Sequence, residues 1–174
     1  GPTEHPEGEM QTFYVSGSAG CSSLKPRAQK QPSFGRWCLQ QRQERRVWTV
    51  QLSTLIERLP RDARVLFVKI DAQGSDLDVF KSAWPRMASI DHVAMEVVSD
   101  DCDPIYDSQP KCSDILTAMW SYGYDPLGPV LCRPRFARHA YNHFCELELV
   151  FRRYDIRHNA VPREVHELHN LHAN

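Results

Sequence analysis

No apolar run in this 174-residue sequence approaches the ~18 residues needed to span a bilayer. No Cys-x-x-Cys pair occurs, which argues against a zinc ribbon or a thioredoxin-like site. Charge of one sign is barely in excess. The chain carries 21 Lys and Arg against 22 Asp and Glu, a net charge of −1, so no global field draws it to nucleic acid or an anionic membrane. There is no internal repeat and no low-complexity tract. Neither a signal peptide nor an initiator methionine opens the chain. Residues 1–10 are polar and hold two prolines, so they are expected to be frayed or a foreign extension outside the fold.

What is present is ordinary globular composition, enough for one domain with a real core. The six cysteines are more than a reduced domain usually carries. Cys102 and Cys112 flank one short segment, Cys132 and Cys145 another, and Cys21 with Cys38 would complete an even set. A Cys102–Cys112 disulfide would place the protein in a secretory lumen or outside the cell. Six reduced thiols packed as small apolar side chains would suit the cytoplasm.

Residues 11–16 are rich in β-formers and read as a strand. Residues 25–46 hold seven basic residues against the single acid Glu44 and little that is apolar. They are expected to form a long exposed loop, or a patch for an acidic substrate or partner. Residues 47–51 look like a short strand. Ser53 is a candidate N-cap for a helix ending before Leu59-Pro60. Residues 65–70 form an apolar run broken only by Lys69, the pattern of a central parallel strand covered on both faces. Leu77, Phe80 and Ala83 have helical spacing over residues 75–84.

Residues 92–98 read as a second buried strand carrying Glu96. A helix capped by Ser113 runs to about Tyr122 and stops at Gly123. Residues 124–131 look extended but contain two prolines. Residues 145–152 are a strong final strand, and 162–172 a terminal helix. This alternation predicts an α/β fold with a mainly parallel sheet. His166, His169 and His172 share a face of that last helix, a weak candidate for a surface metal site.

Ligands of open α/β sheets bind beyond the carboxyl ends of the strands. Two predicted strands carry acids there, Asp71 and Glu96. A carboxylate at such a place needs a partner or a task. Lys69 shares a strand face with Asp71 and is either its partner or a co-resident of one site. The structural alternative makes Asp71 a cap for the helix that follows.

The stretch Lys69-Ile70-Asp71-Ala72-Gln73-Gly74, followed by an acidic residue and a helix ending in Ala83, resembles the FkbM family of S-adenosylmethionine-dependent methyltransferases. Phe13-Tyr14-Val15-Ser16 with Gly20-Cys21-Ser22-Ser23-Leu24, then Ala94-Met95-Glu96-Val97, Gly123-Tyr124 and Leu149-Val150-Phe151, are similar to further pieces of that family in order. The likeness covers residues 11–157, with a basic loop at 25–46, a cysteine-flanked insertion at 102–112 and a tail at 158–174. It implies a class I methyltransferase (Rossmann-like) fold, with helices on both faces of the sheet and a reversed last strand. It also implies S-adenosylmethionine as cofactor and methylation of a hydroxyl on a sugar or small molecule.

On that resemblance Asp71 orients the acceptor or takes its proton, Glu96 assists, and Lys69 stabilises an oxyanion. Asp71, Gln73, Gly74, Ser22 and Ser23 line the cofactor. A divalent ion on Asp71 and Glu96 is a lesser option, and no metal ligand is assigned. The family's N-terminal strand and glycine-rich loop have no counterpart before Phe13. The chain is therefore expected to match the C-terminal two-thirds of the domain. An oligomer or second chain would complete the sheet, or the chain is a non-catalytic binding or assembly module.

Overall fold

A computed structural model describes residues 8–29, 38, 41–133 and 145–155. Its first strand, β1 (Gly8–Ser16), pairs antiparallel with β2 (Gln41–Val50) in a sheet of its own. Helix α1 (Leu52–Glu57) leads to β3 (Val65–Ile70), α2 (Asp76–Lys81) and β4 (Ile90–Val98). Then come α3 (Cys112–Ser121), β5 (Tyr124–Pro126) and β6 (Glu146–Arg153). The second sheet has the order β3-β4-β6-β5.

Strands β3 and β4 are parallel, while β6 runs antiparallel to both β4 and β5. The last strand is reversed, as expected. The sheet is mixed rather than mainly parallel, because inserting β6 between β4 and β5 makes two of its three pairings antiparallel.

Every residue of β4 except Glu96 is buried, so β4 is the central strand. β3 has the same apolar character but lies at the sheet edge, with Leu66 59% exposed. The expectation of a strand covered on both faces is corrected for β3: composition records the capacity to be buried, not the neighbours that do it.

Side chains alternate along a strand, so β4 sorts the core into two faces. Val93, Met95 and Val97 pack with Ile56 of α1, Phe80 of α2 and Ile115 and Met119 of α3. Tyr124 closes this cluster with its ring edge-on to Phe80 at 5.2 Å. Its hydroxyl donates to the carbonyls of Met87 and Ile90, so the buried polar atom is satisfied. The opposite face holds a smaller cluster of Phe67, Ala94, Leu127 and Val150. Among the described residues all three helices thus contribute to one face, which corrects the expectation of helices on both.

Local departures have local causes. The hairpin absorbs Gly8–Met10, expected to be frayed, and Gln41–Arg46, expected to be loop. Arg46 is held there by Met10 and Thr12, its guanidinium donating to the Met10 carbonyl at 2.6 Å. Gln51 and Lys111, not Ser53 and Ser113, occupy the N-cap positions of α1 and α3. Gly123 ends α3 with φ +83°, the left-handed conformation a glycine adopts at no steric cost. The terminal helix and the three histidines at 166, 169 and 172 lie outside the described residues.

All six cysteines are paired, as Cys21–Cys38, Cys102–Cys145 and Cys112–Cys132. The first is the expected pair. The other two correct the expected Cys102–Cys112 and Cys132–Cys145 loops. Cys112 opens α3 and Cys145 precedes β6, so chain neighbours point to different places while the insertion and the β6 approach are stapled together.

Candidate active site

The register of β3, β4 and β6 brings one row of charged side chains to the face opposite the helices. Lys69 sits opposite Ala94, Glu96 opposite Glu148, and Val98 opposite Glu146. Asp71 follows on from β3 in the same alternation. Carboxylates facing each other across strands are unfavourable without a compensating partner. Lys69 supplies part of it, with its Nζ 3.6 Å from a Glu148 oxygen.

The turn after β3 supplies the rest. Gln73 has φ +50° and Gly74 φ +88°. A glutamine in the left-handed region is uncommon and needs support from its surroundings. Gln73 has such support from both chain ends of the turn. Ser23 Oγ donates to its carbonyl at 2.6 Å. Its side-chain Nε2 donates to Asp71 Oδ1 at 3.0 Å and to Glu96 Oε2 at 3.2 Å, and its Oε1 accepts from the Tyr106 hydroxyl at 2.8 Å. Asp76 caps the turn instead of Asp71, accepting from the backbone N–H groups of Ala72 and Gly74.

Gly74 allows this closure. A Cβ there would lie 2.7 Å from Cδ2 of Tyr106, in a backbone conformation L-residues avoid. Gly74→Ala is expected to destabilise the fold by roughly 2 kcal/mol or more, from left-handed strain plus overpacking against a buried ring. Urea unfolding checks this; a loss below about 0.5 kcal/mol would show that the Tyr106 ring can step aside.

The acids respond to burial and to one another. Glu96 is pushed up to about 7, first by burial, then by the nearby charges of Glu146, Asp71 and Asp76, with Lys69 opposing. Glu146 is also raised, by burial and by Asp71. Asp76 is raised by burial against the pull of the N–H groups it caps. A carboxyl poised near neutrality is what a general base or acid requires.

Of the residues singled out in the sequence, Asp71, Gln73, Gly74, Glu96 and Ser23 come together. Lys69 pairs with Glu148 at the margin of the group. Ser22 lies elsewhere, accepting from the Ser16 N–H at 3.1 Å. Tyr106, Glu146 and Arg27 were not foreseen. Arg27 belongs to the supposed exposed loop, yet its guanidinium carbon lies 5.0 Å from the centre of the Tyr106 ring. The Cys102–Cys112 spacing marked the segment bearing Tyr106 as an insertion but not the ring that reaches back. Among the described residues no three acids, histidines or cysteines are placed to hold a metal ion. A separate groove of about 420 Å³ lies between the hairpin and α2, lined by Gln11, Lys25, Thr49, Ser75 and Asp78. Asp71, Gln73 and Glu96 do not line it.

Fold and site together define a mixed α/β domain whose polar cluster sits at the carboxyl ends of its parallel strand pair. The family model described as the methyltransferase FkbM domain matches residues 3–126, and the chain belongs to that family. No curated protein and no solved structure matches it. Membership implies S-adenosylmethionine as the methyl donor. The donor's methionine end carries a sulfonium, an ammonium and a carboxylate, and the Asp71 carboxylate suits its two cationic groups. Among the described residues no Gly-x-Gly turn follows a strand to receive its adenosine.

Proposed function

We propose that this chain methylates a hydroxyl of a sugar or small-molecule acceptor, at the cluster of Asp71, Gln73 and Glu96. The observation that carries the reading is the hydrogen-bonded bridge Asp71–Gln73–Glu96 across the ends of β3 and β4. It combines an exposed carboxylate with a half-buried one raised to about 7. When bound, S-adenosylmethionine supplies an electrophilic methyl on a sulfonium, whose C–S electron pair returns to sulfur as the new C–O bond forms. Glu96 takes the acceptor's proton. Asp71 orients the acceptor hydroxyl and faces the cationic end of the donor. Gln73, anchored by Ser23 and Tyr106, holds both carboxylates in one geometry. Lys69, beside Glu148, balances the charge of the row and lies near any developing oxyanion.

Three disulfides suit an oxidising compartment, so we place this chemistry in a secretory lumen or outside the cell. The test is transfer of labelled methyl from S-adenosylmethionine to a panel of polyols, glycosides and phenols. Label recovered in a base-stable ether supports hydroxyl methylation. Label only in base-labile ester or in amine product rejects it.

A second reading, a methyltransferase-like assembly module, draws on the edge of β3, which no strand covers among the described residues and where Leu66 is exposed, and on exposed Leu55 and Leu59 of the α1 region. Such an edge accepts an added strand. This reading predicts no label transfer at any acceptor.

A further inference from the structure

We infer that Tyr106 is a positioning residue: its hydroxyl fixes the Gln73 amide so that the nitrogen, not the oxygen, faces Asp71 and Glu96. The inference deepens the reading of Glu96 as the base. The two ends of a side-chain amide are nearly the same shape and opposite in hydrogen-bonding sense. Against two ionised carboxylates the nitrogen end is preferred. Against a protonated Glu96 the oxygen end could accept the carboxyl proton instead. A donor on the far side of the amide breaks that ambiguity, and Tyr106 is that donor, 2.8 Å from Gln73 Oε1.

Tyr106 is itself held on every side. It is buried in a cluster with Val98, Ile105 and the Cys21–Cys38 disulfide. Its single hydroxyl proton has a second acceptor in reach, the Cys21 carbonyl at 3.1 Å, but that contact is longer than the one to Gln73 and that carbonyl already accepts from Arg27 Nη2 at 3.0 Å, so the proton goes to Gln73. Arg27 lies over the ring, and Gly74 lies against its edge. Burial raises the hydroxyl's pKa, with Arg27 opposing, so the group keeps its proton and remains a donor. The insertion that carries it is anchored by Cys102–Cys145 at one end and Cys112–Cys132 at the other. The chain thus commits two disulfides and a cation–π contact to the placement of one ring, whose hydroxyl touches the hub of the acid cluster.

The consequence is a proton affinity. Nitrogen-first orientation favours ionised Glu96. The other charged groups facing Glu96 are Asp71, Asp76, Glu146 and Lys69, with Glu148 opposite it on β6. A Tyr106→Phe change leaves all of these in place and removes the hydroxyl, with its donation to Gln73 Oε1 and its contact with the Cys21 carbonyl.

The experiment is a pH titration of the Glu96 carboxyl carbon by NMR in glutamate-labelled full chain, assigned by its absence in Glu96→Gln. Tyr106→Phe is expected to raise the Glu96 midpoint by about half a pH unit or more, the effect of weakening one hydrogen bond to the charged form. Gln73→Leu should raise it as well. The double variant should show no further rise over Gln73→Leu, because Tyr106 acts through Gln73. An unmoved midpoint in Tyr106→Phe, or fully additive shifts, would overturn the inference. Should Tyr106→Phe fail to fold, the wild-type Gln73 NH₂ pair decides. Gln73 amide protons that are protected from solvent exchange and shift with Glu96 titration support a held amide with its nitrogen on the acids; exchange at the rate of a free glutamine amide, or shifts independent of Glu96, reject it. No methyl donor is present in these measurements, so their outcome is independent of whether the chain transfers methyl groups.

Discussion

Glu96→Gln is expected to lower methyl transfer by roughly 10²- to 10⁴-fold, the usual contribution of a positioned general base. Gln keeps the size and hydrogen-bonding capacity of Glu96 but cannot take a proton. Donor affinity should change little, because in the proposed arrangement it is Asp71 that faces the donor's cationic groups. The pH dependence gives a sharper signature. Glu96 is raised to about 7 by burial and by neighbouring acids, so the wild-type rate should climb through neutrality and level off above it. In Glu96→Gln that step should vanish.

Stability should run the other way. A carboxyl whose folded pKa is raised binds its proton more tightly in the native state than in the unfolded chain. Its contribution is fully present below the ordinary carboxylate range and is lost as pH rises through about 7. Glu96→Gln should therefore flatten the fall of the thermal midpoint between pH 5 and pH 8. Steady-state rates and thermal melts across that range check both halves. A rate profile that keeps its step in Glu96→Gln would assign the base to another residue.

Removing the Cys102–Cys145 disulfide by paired Ser substitutions is expected to cost about 4 kcal/mol, from the chain entropy restored on opening a loop of 43-residue separation. That is a large share of the stability of a domain this size. The loss has a place as well as a size. Cys145 immediately precedes Glu146, and Cys102 opens the segment that bears Ile105 and Tyr106. Cutting the bond frees both the start of β6 and the ring that supports Gln73. Guanidinium unfolding under non-reducing conditions measures the first effect. The Cys112→Ser/Cys132→Ser pair, with its separation of 20 residues, should lose somewhat less. A loss below 1 kcal/mol for Cys102–Cys145 would mean that packing alone holds the insertion.

Local signals were legible where one element decides its own form. The Lys69–Gly74 turn, the α3 stop at Gly123 and the reversed final strand all followed from residue type and family likeness. The meeting of Asp71 with Glu96 at the strand ends followed too, because an acid at a buried strand end is costly without a partner. What was not legible depends on residues far apart in sequence. The arginine-rich first part of β2, residues 41–46, has little β propensity of its own and forms because β1 pairs with it. The edge position of β3 and the one-sided placement of the helices depend on where β6 inserts. The partners of Cys102, Cys112, Cys132 and Cys145 could not be told from spacing, since neighbouring cysteines along the chain flank a loop without having to close it. Tyr106 was hidden for the same reason: 33 residues separate it from Gln73, and only the folded insertion brings them within a hydrogen bond.

The proposed role of the Asp71–Gln73–Glu96 cluster is to receive a methyl donor. Calorimetric titration of S-adenosylmethionine, or its demethylated product, into the full chain and into Asp71→Ala tests it most directly. Saturable binding is expected, weakened roughly 10- to 100-fold in Asp71→Ala, the range for loss of a charged hydrogen bond. Absence of binding to the wild type, or equal affinity in Asp71→Ala, would contradict the account.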